Sequence, residues 1–392
     1  MRNPLNPAVV EIKPSGIRKF FDIVHEMKDA ISLGVGEPDF ATPYHIREEG
    51  IYSLEKAKTH YTGNAGLPEL RVEIANFLNR HYGLSYDSKS EILVTVGGSE
   101  AIDLAIRAMV CPGEEVIIPQ PSYVSYEPCV ILTQGVPVVI ELQEKDEFRL
   151  TAEELRAAIT DKTKLLVLPF PNNPTGAIMT EEDLKGIAEI CVEKDIVVLS
   201  DEIYSELTYE QKHVSIASFP GMRERTIVIN GFSKGHAMTG WRLGYACGPA
   251  EIIKQMTKIH QFAIMCAPTM SQYAAIEAMK NGDEDVAMMR DSYDKRRRFV
   301  VHELREMGLP CFEPYGAFYV FPCISEFGMT SEEFATRLLS EQKVAIVPGT
   351  AFGDCGEGFL RISYAYSLEN LKRALDRLRA FITKLREDKA AQ

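Results

Sequence analysis

The chain has 392 residues and a formal net charge of −13, from 43 Lys and Arg against 56 Asp and Glu. This acidity argues against nucleic acid or an anionic membrane surface as the main partner. Hydrophobic residues make up 45% of the chain and charged residues 25%, as in ordinary globular proteins, and the length exceeds what one core usually supports. We therefore expect two domains.

The first segment, MRNPLNPAVVEIKPSG, lacks the apolar stretch of a signal peptide, and no later run reaches membrane-spanning length. The eight cysteines are scattered, without a CxxC pair or a Cys/His spacing typical of zinc. Reduced thiols in a cytoplasmic protein without a bound metal are the expectation. About 45 N-terminal residues are rich in Pro and Gly and are expected to run along the smaller of the two domains.

A large α/β domain is predicted to follow. In PELRVEIANFLNRHY the apolar positions have helical spacing. Seven short runs follow between about residues 90 and 250, and most are apolar throughout, as in a parallel sheet covered on both faces. Helical segments separate several of them: SEAIDLAIRAMV follows the glycines at 97 and 98, and TEEDLKGIAEICVEK begins with a capping-box pattern from Thr180 to Asp183. We therefore predict a mostly parallel seven-stranded sheet flanked by helices. The runs are EILVTV, EEVIIP, VPVVIEL, TKLLVLPF, DIVVLS, TIVIN and RLGYACG.

The last hundred residues have a different pattern and predict a smaller α+β domain. GAFYVFP, KVAIVPG and FLRISYA are typical of strands, and SEEFATRLLSEQ and SLENLKRALDRLRAFITKLRE of amphipathic helices. A helix over about 284–307 is the expected joint. The predicted large domain is 46–284, and the small domain is 1–45 plus 285–392.

Polar segments follow several of the apolar runs, where ligands bind in open α/β sheets. They are GGSEA, PNNPTG, DEIY and GFSKGHAMTGWRLGY. Taken singly, each has an ordinary explanation as a turn, a helix cap or a surface charge. Together they supply an anion cradle, an asparagine, an aspartate, a tyrosine, a lysine and an arginine. Pyridoxal phosphate uses all six, through its aldehyde, pyridine nitrogen, phenolic oxygen and phosphate.

PNNPTG, SDEIY and SKGHAMTGWRLGY resemble the signature segments of class I pyridoxal-phosphate aminotransferases, which have fold type I. The resemblance runs from LGVGEPDF through YTGNAGLPELR to FLRISYA and covers essentially the whole chain. Within the family it is strongest to aromatic-type and N-acetyl-diaminopimelate aminotransferases. It implies a homodimer with shared active sites that moves an amino group from an L-amino acid to a 2-oxo acid by a ping-pong mechanism.

The resemblance also implies roles for individual residues around the cofactor ring. Lys234 would hold the cofactor aldehyde covalently and later act as a base at the substrate Cα. Asp201 would pair with the pyridine nitrogen, while Asn173 and Tyr204 would donate to the phenolic oxygen. Tyr123, in PSYVSY, would stack on the ring.

The phosphate and the substrate carboxylate would be held by a second group. Gly98 and Ser99 would offer backbone N–H groups to the phosphate, joined by Ser233 and Arg242. Tyr61, in YTGNAG, would reach the phosphate of the neighbouring subunit. The substrate α-carboxylate would be gripped by Arg361, beside the backbone of Gly36 and the side chain of Asn173.

Other positions near the motifs carry weaker expectations. Gly231 stands three residues before the lysine, where some family members have a serine that binds phosphate. The resemblance therefore implies a heavier reliance on Ser233 and Arg242. His236 is interpreted as lying behind the site or partly exposed, with no catalytic role. Ile17 and Tyr126 are expected beside the substrate side chain.

Substrate choice rests on one missing feature. KIHQFAIMC, where a neighbouring subunit could supply an arginine for a distal carboxylate, contains none. This favours aromatic or broad substrates, with glutamate and 2-oxoglutarate as the shared pair. Aspartate or N-acetyl-diaminopimelate aminotransferase and a pyridoxal-phosphate C–S β-lyase remain alternatives. A transcription regulator is disfavoured because LGVGEPDF begins at residue 33. A dinucleotide-binding dehydrogenase is disfavoured because no strand is followed by GxGxxG.

Overall fold

The computed structural model describes residues 4–14, 16, 27 and 29–391. Ile17, which was expected beside the substrate side chain, lies outside the described residues. The β-strands are β1 (Ile31–Ser32), β2 (Ile92–Thr95), β3 (Glu115–Gln120), β4 (Val136–Glu141), β5 (Thr163–Leu168), β6 (Val197–Asp201), β7 (Thr226–Gly231), β8 (Gly244–Cys247), β9 (Tyr319–Val320), β10 (Val344–Ala345), β11 (Val347–Pro348) and β12 (Leu360–Ser363).

The α-helices alternate with these strands through much of the chain. They are α1 (Pro7–Glu11), α2 (Tyr44–Glu55), α3 (Pro68–Tyr82), α4 (Gly97–Met109), α5 (Tyr126–Leu132), α6 (Ala152–Ala158), α7 (Glu181–Glu193), α8 (Ala250–Ala263), α9 (Thr269–Asn281), α10 (Asp283–Glu306), α11 (Ser331–Gln342) and α12 (Leu368–Ala390).

A seven-stranded sheet forms the centre of the predicted large domain, in the order β2-β8-β7-β6-β5-β3-β4. Strand β8 runs antiparallel to β2 and β7, and the remaining neighbours are parallel. Strand β7 is buried at every position because both faces of the sheet are covered, which is why its sequence is apolar rather than alternating. The predicted fold class and strand set are confirmed.

The helices begin and end where their sequences indicate. Helix α3 buries Leu70, Ile74, Phe77 and Leu78 along one face, the spacing that predicted it. Helix α7 begins at the predicted capping box, in which Thr180 and Asp183 satisfy each other's backbone N–H groups. Helix α4 begins at Gly97, two residues before the predicted start.

The predicted small domain is built on an antiparallel sheet in the order β11-β12-β9, packed with α10, α11 and α12. Helix α1 contacts α5 beside the seven-stranded sheet, whereas strand β1 pairs in parallel with β10 at the small-domain end of the molecule. Its apolar core also includes Tyr204, Leu207 and Tyr209, which come from the other predicted domain. The two predicted domains therefore share a core, and the boundaries at 45/46 and 284/285 stay a prediction.

Within the described part of the chain, no helix combines the length and apolar character needed to cross a membrane.

Candidate active site

A cavity of about 470 Å³ lies beyond the carboxyl ends of the central strands, between them and the small domain. It is lined by every predicted site residue except Tyr61, namely Gly36, Gly98, Ser99, Tyr123, Asn173, Asp201, Tyr204, Ser233, Lys234, Arg242 and Arg361. Residues as far apart in sequence as 36 and 361 thus meet at one place, which is where an open α/β sheet is expected to bind a ligand.

Lys234 lies on the turn that follows β7, and its Nζ donates to the backbone oxygen of Gly36 at 2.6 Å. Burial, and after it the nearby positive charge of Arg361, lower its pKa to about 8. A lysine with such a pKa is partly neutral near pH 7.5, the form in which an amine attacks an aldehyde. The strand end therefore places an activated amine in the cavity.

Asp201 is the last residue of β6 and is almost fully buried. The hydroxyl of Tyr126 donates to its Oδ2 at 2.7 Å, and the backbone N–H of Ile203 donates to its Oδ1 at 3.2 Å. Burial nevertheless raises its pKa to about 6. A buried carboxylate is costly unless a positive partner arrives, and a protonated pyridine nitrogen is such a partner.

Tyr126 makes a hydrogen bond that the sequence did not indicate. It lines the cavity as expected, but its hydroxyl is turned toward Asp201. Tyr126 begins α5 and is fully buried beside Tyr123, with the two rings edge to face at 5.7 Å. The tyrosine therefore orients the aspartate and is not free to bind a polar substrate group through its hydroxyl.

The two asparagines of PNNPTG have separate roles. Asn172 is buried and holds the turn, because its Oδ1 accepts from the backbone and hydroxyl of Thr175. Asn173 lines the cavity, and its Oδ1 accepts from Nη1 of Arg361 at 2.8 Å. Its amide nitrogen is therefore the atom that can donate to a ligand.

Arg361 projects from β12 and is 2% exposed. Its hydrogen-bond acceptors within the described residues are neutral, the side chain of Asn173 and the backbone oxygen of Gly34. Its Nε has no partner in that part of the chain. The rings of Tyr319 and Phe352 lie 4.6 and 4.7 Å from the guanidinium carbon. A buried cation with a donor to spare is suited to an anionic ligand.

The predicted phosphate end lies at the start of α4. Gly97 has a φ of +75°, and a Cβ there would lie 2.7 Å from Nη2 of Arg242, so glycine lets the arginine approach the helix start. Arg242 itself has a φ of +52°, and its Nη1 donates to the backbone oxygen of Thr239. A left-handed conformation costs an ordinary residue roughly 1–2 kcal/mol, a strain that clusters at functional sites.

Ser99, Tyr123 and Ser233 complete the predicted cofactor contacts. The hydroxyls of Ser99 and Tyr123 lie 3.2 Å apart, which joins the helix start to the aromatic side of the cavity. Ser233 is buried next to Lys234 and lines the same cavity. Together with Gly98 and Arg242, these groups supply a helix N-terminus, hydroxyl donors and one cation, as an anion site requires.

Tyr61 lies away from this cavity in the single chain and is 80% exposed. Its expected contact is with a neighbouring subunit. The backbone oxygen of Met265 accepts from Asn64, which places the loop of Tyr61 beside the end of α8. There Phe262 is 87% exposed. The role of Tyr61 stays a prediction.

The structure supplies a physical reason for glycine at position 231. Gly231 lies on β7 opposite Gly244, and a Cβ at 231 would be 2.9 Å from the Gly244 Cα and 3.0 Å from the Leu243 oxygen. A serine there would require the backbone to shift. The departure from other family members therefore reflects close strand packing.

His236 is buried, at 3% exposure, and not partly exposed as one sequence-based alternative held. Its ring packs near Phe232 and Phe77, at centroid distances of 5.6 and 6.5 Å. Burial lowers its pKa to about 4, so the ring is neutral at neutral pH. It does not line the cavity.

Sequence reasoning missed several cavity residues, including Tyr319 and Glu37. Tyr319, on β9, shares a hydrogen bond of 2.8 Å with Tyr204 through their hydroxyls. Glu37 follows Gly36 and accepts from the hydroxyl of Thr239. Both belong to segments quoted above, GAFYVFP and LGVGEPDF. The strand pattern of GAFYVFP did not indicate which face its tyrosine occupies.

The arrangement fits pyridoxal phosphate on three observations. An amine of lowered pKa, a buried carboxylate of raised pKa and a helix start with an arginine lie in one cavity. These groups match the aldehyde, the pyridine nitrogen and the phosphate of the cofactor. The unpaired Nε of Arg361 leaves a place for a second anion, the carboxylate of an amino acid.

Comparison with known proteins gives a consistent family. The sequence profile described as "Aminotransferase class I and II" matches residues 28–378. An aspartate aminotransferase of Pyrococcus abyssi is 49% identical over 370 residues, which are 94% of this chain and 95% of the relative. A Bacillus subtilis relative named "Probable N-acetyl-LL-diaminopimelate aminotransferase" is 46% identical over 387 residues, 99% of this chain and 98% of the relative.

Among solved structures, an aromatic aminotransferase from Pyrococcus horikoshii superimposes with a TM-score of 0.89. It is 47% identical and covers 94% of this chain and 99% of its own. These three relatives have different substrates in their names, although each matches nearly the full length of the chain.

Proposed function

The chain belongs to the class I and II aminotransferases and is a pyridoxal-phosphate-dependent transaminase. From this premise we propose that its amino donors are aromatic or otherwise broad, with glutamate and 2-oxoglutarate as the shared pair. The observation that supports this most directly is the composition of the cavity. Among the described residues that line it, the cationic side chains are Lys234, Arg242 and Arg361. The proposed roles of these three use all of them, which leaves none for a distal carboxylate.

The apolar wall of the cavity also supports the proposal of aromatic substrates. Val35, Ile102 and Ile203 line the cavity with Tyr123 and Tyr319. Aromatic side chains gain from burial against such a surface and need no charged partner.

The proposed mechanism begins with binding. Arg361 grips the substrate α-carboxylate through two parallel N–H donors, assisted by Asn173. This fixes the substrate Cα near Lys234, whose Nζ is held toward that side by the oxygen of Gly36. Bound pyridoxal phosphate supplies the electron sink that makes the Cα proton acidic.

Proton handling is then divided between two residues. Lys234 would hold the cofactor covalently at rest, and its Nζ, when free, would take the proton from the substrate Cα. Its pKa of about 8 suits this task near neutral pH. Asp201 holds a proton at the pyridine nitrogen, because Tyr126 and the Ile203 N–H keep its oxygens aimed there. Tyr204 and Asn173 donate to the phenolic oxygen.

We further propose a homodimer in which Tyr61 completes the phosphate site of the partner. Exposed apolar side chains around Tyr61 support this proposal. They are Phe262, Ile264 and Met265 at the end of α8, which the hydrogen bond from Asn64 places beside the loop. Large exposed apolar side chains grouped in this way mark interaction surfaces.

The test is a half-reaction panel on the purified, cofactor-loaded enzyme. Single amino acids are added without a 2-oxo acid, and conversion of the cofactor to its amino form is followed by absorbance. Phenylalanine, tyrosine and glutamate are expected to convert it faster than aspartate or N-acetyl-diaminopimelate. Faster conversion by either of the last two would replace the proposed substrates.

Two controls accompany the panel. Lys234→Ala is expected to lose the absorbance band of the lysine-bound cofactor together with turnover, and persistence of the band would refute the assignment of Lys234. Cystathionine tests the C–S β-lyase alternative, since a lyase releases pyruvate and ammonia without a 2-oxo acid. Release at a rate above transamination would establish the lyase.

A further inference from the structure

Tyr319 lies where the cofactor end and the substrate end of the cavity meet. The residue is 1% exposed, and its ring lines the cavity. Its hydroxyl is 2.8 Å from that of Tyr204, while its ring lies 4.6 Å from the guanidinium carbon of Arg361. One side chain therefore touches the proposed donor to the cofactor and the proposed anchor of the substrate.

The direction of the hydrogen bond between the two phenols follows from counting protons. A phenol has one O–H, and Tyr204 uses its own when it donates to the phenolic oxygen of the cofactor. Tyr319 must then donate to Tyr204. A hydroxyl that accepts a hydrogen bond is polarised and becomes a stronger donor, especially in a buried site of low dielectric.

The backbone opposite Tyr319 is shaped to admit its hydroxyl. A Cβ built on Gly36 would collide with Tyr319 Oη, so residue 36 must be glycine for the phenol to lie where it does. The oxygen of the same glycine accepts from Lys234 Nζ. The position of the tyrosine is thus fixed from both sides, by Tyr204 and by the backbone at Gly36.

We propose that Tyr319 is a positioning residue for transamination, acting through two neighbours. Its hydroxyl keeps Tyr204 in the donor orientation toward the cofactor, and its ring supports the guanidinium of Arg361 for the substrate carboxylate. The inference rests on the proposed roles of Tyr204 and Arg361, which it extends by one residue. The hydroxyl and the ring of Tyr319 have separable effects, because the hydroxyl contacts Tyr204 and the ring contacts Arg361.

Tyr319→Phe removes the hydroxyl and keeps the ring. The measurement is a pH titration of the absorbance of the lysine-bound cofactor. Weaker donation from Tyr204 stabilises the phenolic oxygen's negative charge less, so the nitrogen joining Lys234 to the cofactor keeps its proton to higher pH. The midpoint is expected to rise by roughly 0.5–1 pH unit, the size of one hydrogen bond. KM for the amino acid should change less than about 2-fold, since cation–π support is retained.

Tyr319→Leu removes the ring as well. The midpoint is expected to rise as in Tyr319→Phe, while KM for the amino acid rises in addition by roughly 3- to 30-fold, the range of a cation–π contact. A KM that matches that of Tyr319→Phe would show that the ring does not support Arg361, and would overturn that half of the inference.

A double-mutant comparison isolates the path through Tyr204. Tyr204→Phe should raise the midpoint by more than Tyr319→Phe, and Tyr204→Phe with Tyr319→Phe should titrate like Tyr204→Phe alone. Tyr364→Phe is the matched control, since it removes a buried hydroxyl that donates to the backbone of Ala317 and does not line the cavity. It should titrate like the wild type.

Two outcomes overturn the inference about the hydroxyl. One is a titration midpoint of Tyr319→Phe equal to that of the wild type. The other is that Tyr319→Phe shifts the midpoint as much in the Tyr204→Phe background as it does in the wild type. Both readouts are independent of the substrate panel. If the titrations behave as expected and no amino acid converts the cofactor, the proposed substrates fail while the role of the Tyr319 hydroxyl stands.

Discussion

At the scale of single residues, the cavity keeps two ionisable groups in unfavourable surroundings. Burial raises the pKa of Asp201 to about 6 and lowers that of Lys234 to about 8. Charging either group is therefore less favourable than in water, and this destabilises the cofactor-free protein at neutral pH. The bound cofactor would relieve it by offering a positive ring nitrogen to one group and an aldehyde to the other.

Asp201→Asn is expected to stabilise the cofactor-free protein while abolishing transamination. The pKa of the Asp201 carboxyl is about 6 in the folded protein and 3.8 ordinarily, so the folded state binds this proton more tightly. Its contribution to stability is therefore fully present below pH 3.8 and is lost as the pH rises through about 6. The variant's advantage in free energy of unfolding should therefore grow by about 2 kcal/mol between pH 4 and 7. Urea unfolding across this range measures it.

The cofactor-loaded protein is the control for this comparison. Bound cofactor stabilises the form that holds it more tightly, so the loaded wild type should be more stable than the loaded variant. An advantage of Asp201→Asn that stays constant across the pH range would mean that the carboxylate is not the origin of the effect.

Gly231→Ser should destabilise the protein even though it installs a hydroxyl near the expected phosphate site. The new Cβ would press on the Gly244 Cα and the Leu243 oxygen. Overpacking of this kind costs roughly 1–3 kcal/mol. Gly63→Ser is the matched control, because the nearest atom to a Cβ at 63 is 3.8 Å away, and it should change the free energy of unfolding by less than about 0.5 kcal/mol. A stable Gly231→Ser with tighter cofactor retention would contradict the packing explanation.

The residues that sequence reasoning located, and those it missed, differ in a physical way. Lys234 and Asp201 directly follow recognisable strands, so the rule for sheet ends finds them. The partners of these groups come from elsewhere in the chain. Tyr126 reaches Asp201 across 75 positions, and Tyr319 reaches Tyr204 across 115. Such pairings depend on how strands and helices pack, which local patterns do not encode.

At the scale of elements, local chemistry sets boundaries well. The sequence predicted the start of α7 because Thr180 and Asp183 have capping-box spacing, and the structure has both reciprocal hydrogen bonds, at 2.9 and 3.2 Å. The start of α4 was placed two residues late, because glycines are poor helix formers and Gly97 and Gly98 were counted with the turn. There the close approach of Arg242 outweighs propensity.

Thr180→Ala tests the capping box of α7. Loss of an N-cap is expected to lower the free energy of unfolding by about 1 kcal/mol. Thr257→Ala is the control within a helix, since its hydroxyl bonds back to the oxygen of Ile253 in the middle of α8. That substitution should be neutral or slightly stabilising because alanine is the better helix former. Equal changes in the free energy of unfolding for Thr180→Ala and Thr257→Ala, measured with urea, would show that the capping box does not stabilise α7.

At the scale of the whole molecule, the proposed sharing of sites between subunits makes a distinctive prediction. Lys234→Ala lacks the reactive amine, and Tyr61→Ala should hold the cofactor roughly 10- to 100-fold more weakly through loss of a charge-assisted hydrogen bond. In a hybrid dimer of the two, one site would combine an intact Lys234 with an intact Tyr61 from the other subunit. Random mixing should restore about a quarter of wild-type sites.

Co-expression with separate affinity tags measures this complementation directly. Activity of the purified hybrid that stays at the level of the two single variants would show that Tyr61 does not serve the partner's site. The control combines Lys234→Ala with Asp201→Asn. Both residues belong to one site within one chain, so each hybrid site remains damaged and activity should not return.

The shared core sets a limit on predicting the domains from sequence. Strand and helix patterns separate the α/β part from the α+β part, but Tyr204, Leu207 and Tyr209 pack among small-domain residues. A boundary drawn along the chain therefore cuts through one apolar cluster. Burial across elements, and not linker composition, decides how the two parts are joined.

The uncompensated guanidinium of Arg361 has a consequence for laboratory practice. A buried cation with only neutral acceptors among the described residues will attract whatever small carboxylate is most abundant. Acetate, citrate or succinate in a purification or assay buffer would compete with the amino acid for the same two donors. Rates compared between laboratories would then differ with the buffer anion alone, and assays in a carboxylate-free buffer such as HEPES would give the lower KM.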